Sequence, residues 1–301
     1  MQVVESCLAA GVDYIDLADG REFVREFLRF DDIAKGAEVS LVTGASSIPA
    51  LSHAVIDAMA ANWQQIDSLR IGIYPGNRAP RGLSVVEAIL SYVGKPVRVF
   101  RERDWQDVSG WGMTHREDVP GVGNRWASVC DTPEQDLLVE RYQPRQSAEF
   151  FAGLELSILH LGLVGFAQPV RWGLVKSLRP MAKPMLAVAK WFLPFGSDRG
   201  AMTVSANGVD ADGAPITRRW VLEADANRGP YVPVLAALAM IRRRRDVGRE
   251  EPGARACSGI LSLADFDGDF ERLGMKRSLL DEAGNPIDFD SGPSARQFCA
   301  A

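Results

Sequence analysis

"VSLVTGASSIPALSHAVID", residues 39–57, decides the fold. Val39–Thr43 is a short run of the kind that is buried on both faces in a parallel sheet. Gly44 ends it, "ASSIP" leads out of it, and a helix is expected from about Ala50. Pro49 suits a first helical turn, and Ser46 or Ser47 is placed to cap it. Strand, glycine–serine turn and helix in that order leave backbone N–H groups free at the carboxyl edge of a sheet. In open α/β sheets that edge is where ligands bind. A capped helix with no ligand is the plainer reading of the same turn.

The flanking sequence repeats the pattern. "MQVVESCLAAGVDYIDLAD" (1–19) reads as helix, Gly11 stop and strand, with Asp16 near the strand's far end. Phe23, Phe27 and Phe30 then lie along one helical stripe. A domain seldom opens with the helix of such a unit, because that helix covers a sheet begun by earlier strands.

Composition sets wide bounds. The 301 residues are 47% hydrophobic and 24% charged, as in an ordinary globular protein, and the length suits a sizeable core in two lobes. A net charge of −5 carries no basic footprint for nucleic acid, so no nucleic-acid partner is expected. Four dispersed cysteines and three dispersed histidines offer no familiar metal-ligand spacing, and no metal is expected. The cysteine pattern suits a reducing, cytoplasmic setting.

Five stretches, "AGVDYIDLAD" (10–19), "LVTGASSIPALSHAVID" (41–57), "IGIYPGNRAPRGLSVVEAILSYVGKPV" (71–97), "GSDRGAM" (196–202) and "GPYVPVLAALAMIRR" (229–243), occur in an order that resembles the saccharopine dehydrogenase-like oxidoreductases, and more narrowly a bacterial branch of them. The resemblance covers about residues 1–265. It implies an α/β fold: a partial Rossmann-like parallel sheet with an inserted mixed α/β domain for substrate or dimerisation. Residues 1–60 would be the last part of the Rossmann-like domain, 61–225 the insert, 226–265 the return and 266–301 a tail. It also implies hydride transfer between NAD or NADP and a small, carboxylate-bearing substrate, in a homodimer. Asp16, Gly44, Ser46 and Ser47 would lie at the nicotinamide end of the cofactor.

The family's Gly-x-Gly-x-x-Gly turn is missing. "GVGNRW" (121–126) and "GWGMTH" (110–115) each lack the third glycine and the preceding strand. The expectation is therefore an amino-terminally shortened member whose cofactor binding is impaired.

Residues 61–225 carry the remaining polar candidates. Arg78 and Arg81 precede a helix with capping-box spacing at Ser84 and Glu87, and two guanidiniums there can clamp a carboxylate. Residues 95–131 read as strands joined by long aromatic loops. Trp111 is a candidate to close over a substrate, and a loop packed on its own indoles is the alternative. His115, the one histidine in a polar loop, is the candidate for proton transfer; His53 and His160 lie in apolar helical surroundings and read as structural. "AEFFAGLELSILHLGLVGFAQPV" (148–170) reads as a core helix, its Glu149, Glu155 and His160 being costly at membrane depth. Residues 176–192 alternate lysine and arginine with apolar residues, which fits either a peripheral membrane contact or a subunit interface. A non-catalytic membrane-surface or interaction module is accordingly the alternative function. A β-hairpin is expected over 200–225, then a helix burying Leu235, Leu238 and Ile241, then a polar tail from Asp281.

Overall fold

The computed structural model describes residues 1–288. Its helices are α1 (Gln2–Ala10), α2 (Arg21–Phe27), α3 (Asp31–Gly36), α4 (Ser52–Met59), α5 (Leu83–Tyr92), α6 (Glu134–Tyr142), α7 (Ser157–Arg171), α8 (Ala182–Trp191), α9 (Val232–Asp246) and α10 (Ala264–Arg272). Its strands are β1 (Tyr14–Ile15), β2 (Ser40–Thr43), β3 (Gln65–Tyr74), β4 (Pro96–Arg101), β5 (Asp104–Ser109), β6 (His115–Val119), β7 (Gly123–Val129), β8 (Ser147–Ala152), β9 (Gly200–Val209), β10 (Pro215–Ala224), β11 (Gly253–Ala256), β12 (Lys276–Leu280) and β13 (Pro286–Ile287). The architecture is α/β, built on two sheets.

The small sheet is β1-β2-β11 and wholly parallel. All four residues of β2 are buried, as an apolar run between two neighbours requires. Val4, Phe27, Ala34, Val39 and Leu41 pack together beside it, with Tyr14 and Phe27 rings 5.8 Å apart. Gly11 closes α1 in the left-handed conformation, where the sequence places a stop.

The large sheet runs β13-β12-β10-β9-β3-β8-β4-β5, and the β6–β7 hairpin is attached through β7 to β8. Only β3 and β8 are parallel within it. The expected hairpin is β9–β10, paired from Gly200↔Ala224 to Val209↔Pro215. The main core lies beneath this sheet around Val55, Leu69, Ile71, Phe150, Trp220 and Phe266.

Several local expectations are corrected. Neither Ser46 nor Ser47 caps a helix; an irregular turn intervenes and α4 begins at Ser52. Ser84 is likewise no cap, because α5 starts a residue earlier behind Gly82. The "long loops" of 95–131 are tight hairpins, the first turned by Glu102 and Arg103 at φ 53° and 70°. The apolar run 148–170 is not one helix: β8 takes its start and α7 its end. On α9, Leu235 is buried, but Leu238 and Ile241 are exposed. Residues 264–287 form α10, β12 and β13 and rejoin the large sheet; only 289–301, Cys299 among them, lie outside the described residues. No helix among the described residues is long and apolar enough to cross a membrane.

Candidate active site

The carboxyl ends of the three parallel strands converge. β1 delivers Asp16, β2 delivers Thr43 and Gly44, and β11 delivers Cys257 and Ser258, with the Cys257 amide donating to Thr43 O at 2.7 Å. Asp16 Oδ1 accepts three hydrogen bonds, from Thr43 Oγ1 (2.8 Å), the Gly44 amide (3.0 Å) and the Ala18 amide (2.9 Å). Asp16 thus holds the turn in shape. Its second oxygen, Oδ2, is buried without a partner. Gly44 has φ 73°, and a Cβ there would stand 2.6 Å from Pro49 Cδ. Ser46 and Ser47 are both buried in the turn.

Behind the turn, α4 presents His53, which is wholly buried. His53 Nε2 lies 3.0 Å from Glu134 Oε2, and His53 Nδ1 lies 2.6 Å from Ser258 Oγ. Glu134, also fully buried at the start of α6, accepts the Ser52 hydroxyl on its other oxygen. In the tautomer with the imidazole proton on Nε2, facing the carboxylate, Nδ1 presents a lone pair to the Ser258 hydroxyl. Hydroxyl, imidazole and carboxylate in line form the arrangement that activates a hydroxyl and steadies the imidazolium that follows.

Ser258 opens into a cleft of about 670 Å³ beside β11, walled by the start of β3 and the end of α6. Arg141 lines it and lies against the backbone of Gly259, so closely that a Cβ there would collide with the guanidinium. Asp57 holds Arg141 at 2.9 Å and accepts the Tyr142 hydroxyl at 2.8 Å. Burial, reinforced by Asp57, pushes the Tyr142 phenol well above its ordinary pKa, so it stays a donor. The cleft therefore joins a hydroxyl backed by a buried base to a fixed cation.

The other sequence candidates lie elsewhere. His115 starts β6 in a separate cluster, its Nδ1 at 3.1 Å from Met113 O and its ring edge-on to Phe151. Glu117, 3.8 Å from its Nε2, raises its pKa. Burial opposes ionisation of Glu117, yet His115, Tyr74 and Arg219 around it hold its carboxyl below the usual value. Arg78 donates to the carbonyls of Leu193 and Pro194, and Arg81 to Gly76 O and Asn77 Oδ1. Both brace backbone. Trp111 is 1% exposed, its indole N–H aimed at His160 O, so it has no surface to offer a substrate. His160 sits between the Ser128 hydroxyl and the Leu154 amide, and His53 between Glu134 and Ser258. Glu134 and Ser258 escaped the sequence reading because they lie 81 and 205 residues from His53.

No family model and no curated protein matches the sequence. Among solved structures, the chain is similar to apo histidine-tagged saccharopine dehydrogenase (L-Glu forming) from Saccharomyces cerevisiae, with a TM-score of 0.57 and 11% identity over 92% of this chain and 82% of that one. The chain has a saccharopine dehydrogenase-like fold. At that identity the likeness concerns the fold, and the chemistry is argued from the site. Among the described residues no cluster of histidine, cysteine or acidic side chains is suited to hold a metal.

Proposed function

We propose that the chain is an NAD(P)-linked oxidoreductase of saccharopine dehydrogenase type, acting on a carboxylate-bearing substrate. The observation that carries this reading is the Ser258–His53–Glu134 relay at the carboxyl edge of a Rossmann-like parallel sheet. The nicotinamide, when bound, supplies the hydride acceptor or donor. Asp16 Oδ2, a buried acceptor without a partner, and the Gly44–Ser47 turn suit its amide end. The pyrophosphate is less well provided for, since no Gly-x-Gly-x-x-Gly turn occurs in the 301 residues.

Oxidation of an alcohol or amine releases one proton beside the hydride. Ser258 Oγ passes that proton to His53 Nδ1, and Glu134 stabilises the imidazolium through Nε2. Arg141 offers a guanidinium to the substrate carboxylate.

Titration with NADPH and NADH, followed by nucleotide fluorescence and melting temperature, tests the cofactor. Saturable binding with a rise in melting temperature is expected; ligand at about 100 times its Kd stabilises by roughly 2.7 kcal/mol. No response at millimolar nucleotide overturns the reading. Ser258→Ala is expected to leave nucleotide affinity unchanged and to lower kcat by about 10²-fold or more, the usual worth of positioned proton transfer.

A further inference from the structure

We propose that α7, α8 and the segments that follow each of them form a docking face for an anionic lipid surface. The inference is independent of the redox reading.

Charge is the first observation. Between Glu155 and Asp198 there is no acidic residue, while Arg171, Lys176, Arg179, Lys183 and Lys190 are all present. The chain as a whole carries −5, and only six of its basic residues are lysines, three of them here. Exposure is the second. Half of the exposed large apolar side chains among the described residues fall between 158 and 195. Trp172 is 67% exposed, Leu174 74%, Trp191 75% and Phe195 74%.

The faces are ordered. α7 buries His160, Leu163, Ala167 and Val170, and exposes Ile158, Leu161 and Phe166 together with Ser157, Gly162, Gly165 and, at its end, Arg171. α8 packs against α5 and exposes Val188 and Trp191 with Lys183 and Lys190 alongside. The turn after α8 is anchored from behind. Asn77 Nδ2 donates to Phe192 O at 2.7 Å, Arg78 donates to Leu193 O and Pro194 O, and Glu155 accepts from the amide and hydroxyl of Ser197. Its backbone is tied down while Trp191 and Phe195 remain in solvent. Indoles, bulky apolar groups and lysines on one surface segment suit the boundary between headgroups and acyl chains, where rings enter and ammonium groups reach phosphates. A second copy fits less well, because a symmetric contact would set this cationic face against itself.

The test is co-sedimentation of the full chain with phosphatidylcholine vesicles, with and without about 30% phosphatidylserine, at low and high salt. Expected are binding to the anionic vesicles, a blue shift of tryptophan emission on binding, and weakening by salt. Replacing Lys176, Lys183 and Lys190 by Glu should lower vesicle affinity by about a hundredfold or more. Trp172→Ser with Trp191→Ser should remove the emission shift and most of the binding. Both variants alter exposed positions, so melting temperature should hold. Absence of binding to the anionic vesicles, or binding indifferent to both variants, overturns the proposal. So does a dimer in gel filtration that either variant dissociates, since the face would then belong to a second copy.

Discussion

His160 and His53 are both buried imidazoles, and their partners set them different tasks. His160 Nδ1 accepts the Leu154 amide at 3.2 Å, and Nε2 faces Ser128 Oγ at 2.9 Å. No carboxylate bonds to it. Burial therefore pushes its pKa down to about 4, with His115 adding to the effect. Between about pH 6.5 and about pH 4 the unfolded chain holds a proton that the folded chain refuses, so stability falls as pH falls through that window. The loss should approach about 3 kcal/mol at its acid end. His160→Asn keeps an acceptor for the Leu154 amide and removes the titration. Urea unfolding at about pH 7 and about pH 4 should show a steep loss for the natural chain and a smaller one for the variant. Equal losses in both would show that His160 is not the group responsible. His53 was legible only as a histidine in an apolar helix. Its carboxylate and hydroxyl partners come from distant segments, and no local pattern announces them.

At the scale of the element, the β2–α4 turn was legible and its internal construction was not. An apolar tetrapeptide closed by glycine is a local signal, so the strand and the glycine stood out. Neither serine caps α4, and what holds the turn is Asp16, at the end of the neighbouring strand, through Thr43, Gly44 and Ala18. Gly44→Ala puts a Cβ against Pro49 at a left-handed φ, and should cost about 2–3 kcal/mol. Gly11→Ala is the control. Its φ is 65°, but nothing lies within 4 Å of the added carbon, so about 1 kcal/mol is expected. Denaturant midpoints of the two variants separate crowding from backbone strain, and equal costs would refute the close approach at Gly44. Hairpin β4–β5 hid for a related reason: Glu102 and Arg103 turn it without a glycine, and tertiary packing holds them there. Hairpin β6–β7 turns on Pro120 and the left-handed Gly121 and Gly123, which is a local signal.

For the whole molecule, each βα step of the small sheet is contiguous in sequence, which is why its first two strands could be read directly. The large sheet sets Ser68 beside Ser147 and Arg219 beside Leu280, pairings that no window of residues contains. What joins the two sheets is equally non-local. Arg21 on α2 reaches across with its whole guanidinium. Nε donates to Asp136 Oδ2 at 2.7 Å and Nη2 to the other oxygen of that carboxylate, while Nη1 meets Asp131 at 3.2 Å and the Arg98 carbonyl at 2.7 Å. The arginine is 12% exposed and its two carboxylates 35% and 39%. Screening of those half-exposed partners puts the cost of Arg21→Ala at about 1–2 kcal/mol, below the 3–5 of a fully buried pair. Removing the cation also leaves two carboxylates facing each other. Arg21→Lys restores the charge without the fork and should recover part of the loss. Because Arg21 belongs to the small-sheet side, the damage should be local. Amide exchange should quicken in α2 and α3, while the β9–β10 hairpin keeps its protection. Uniform quickening throughout would mean that the sheets unfold as one unit and that Arg21 is only one contact among many; quickening confined to α2 and α3 would make it the clamp between them.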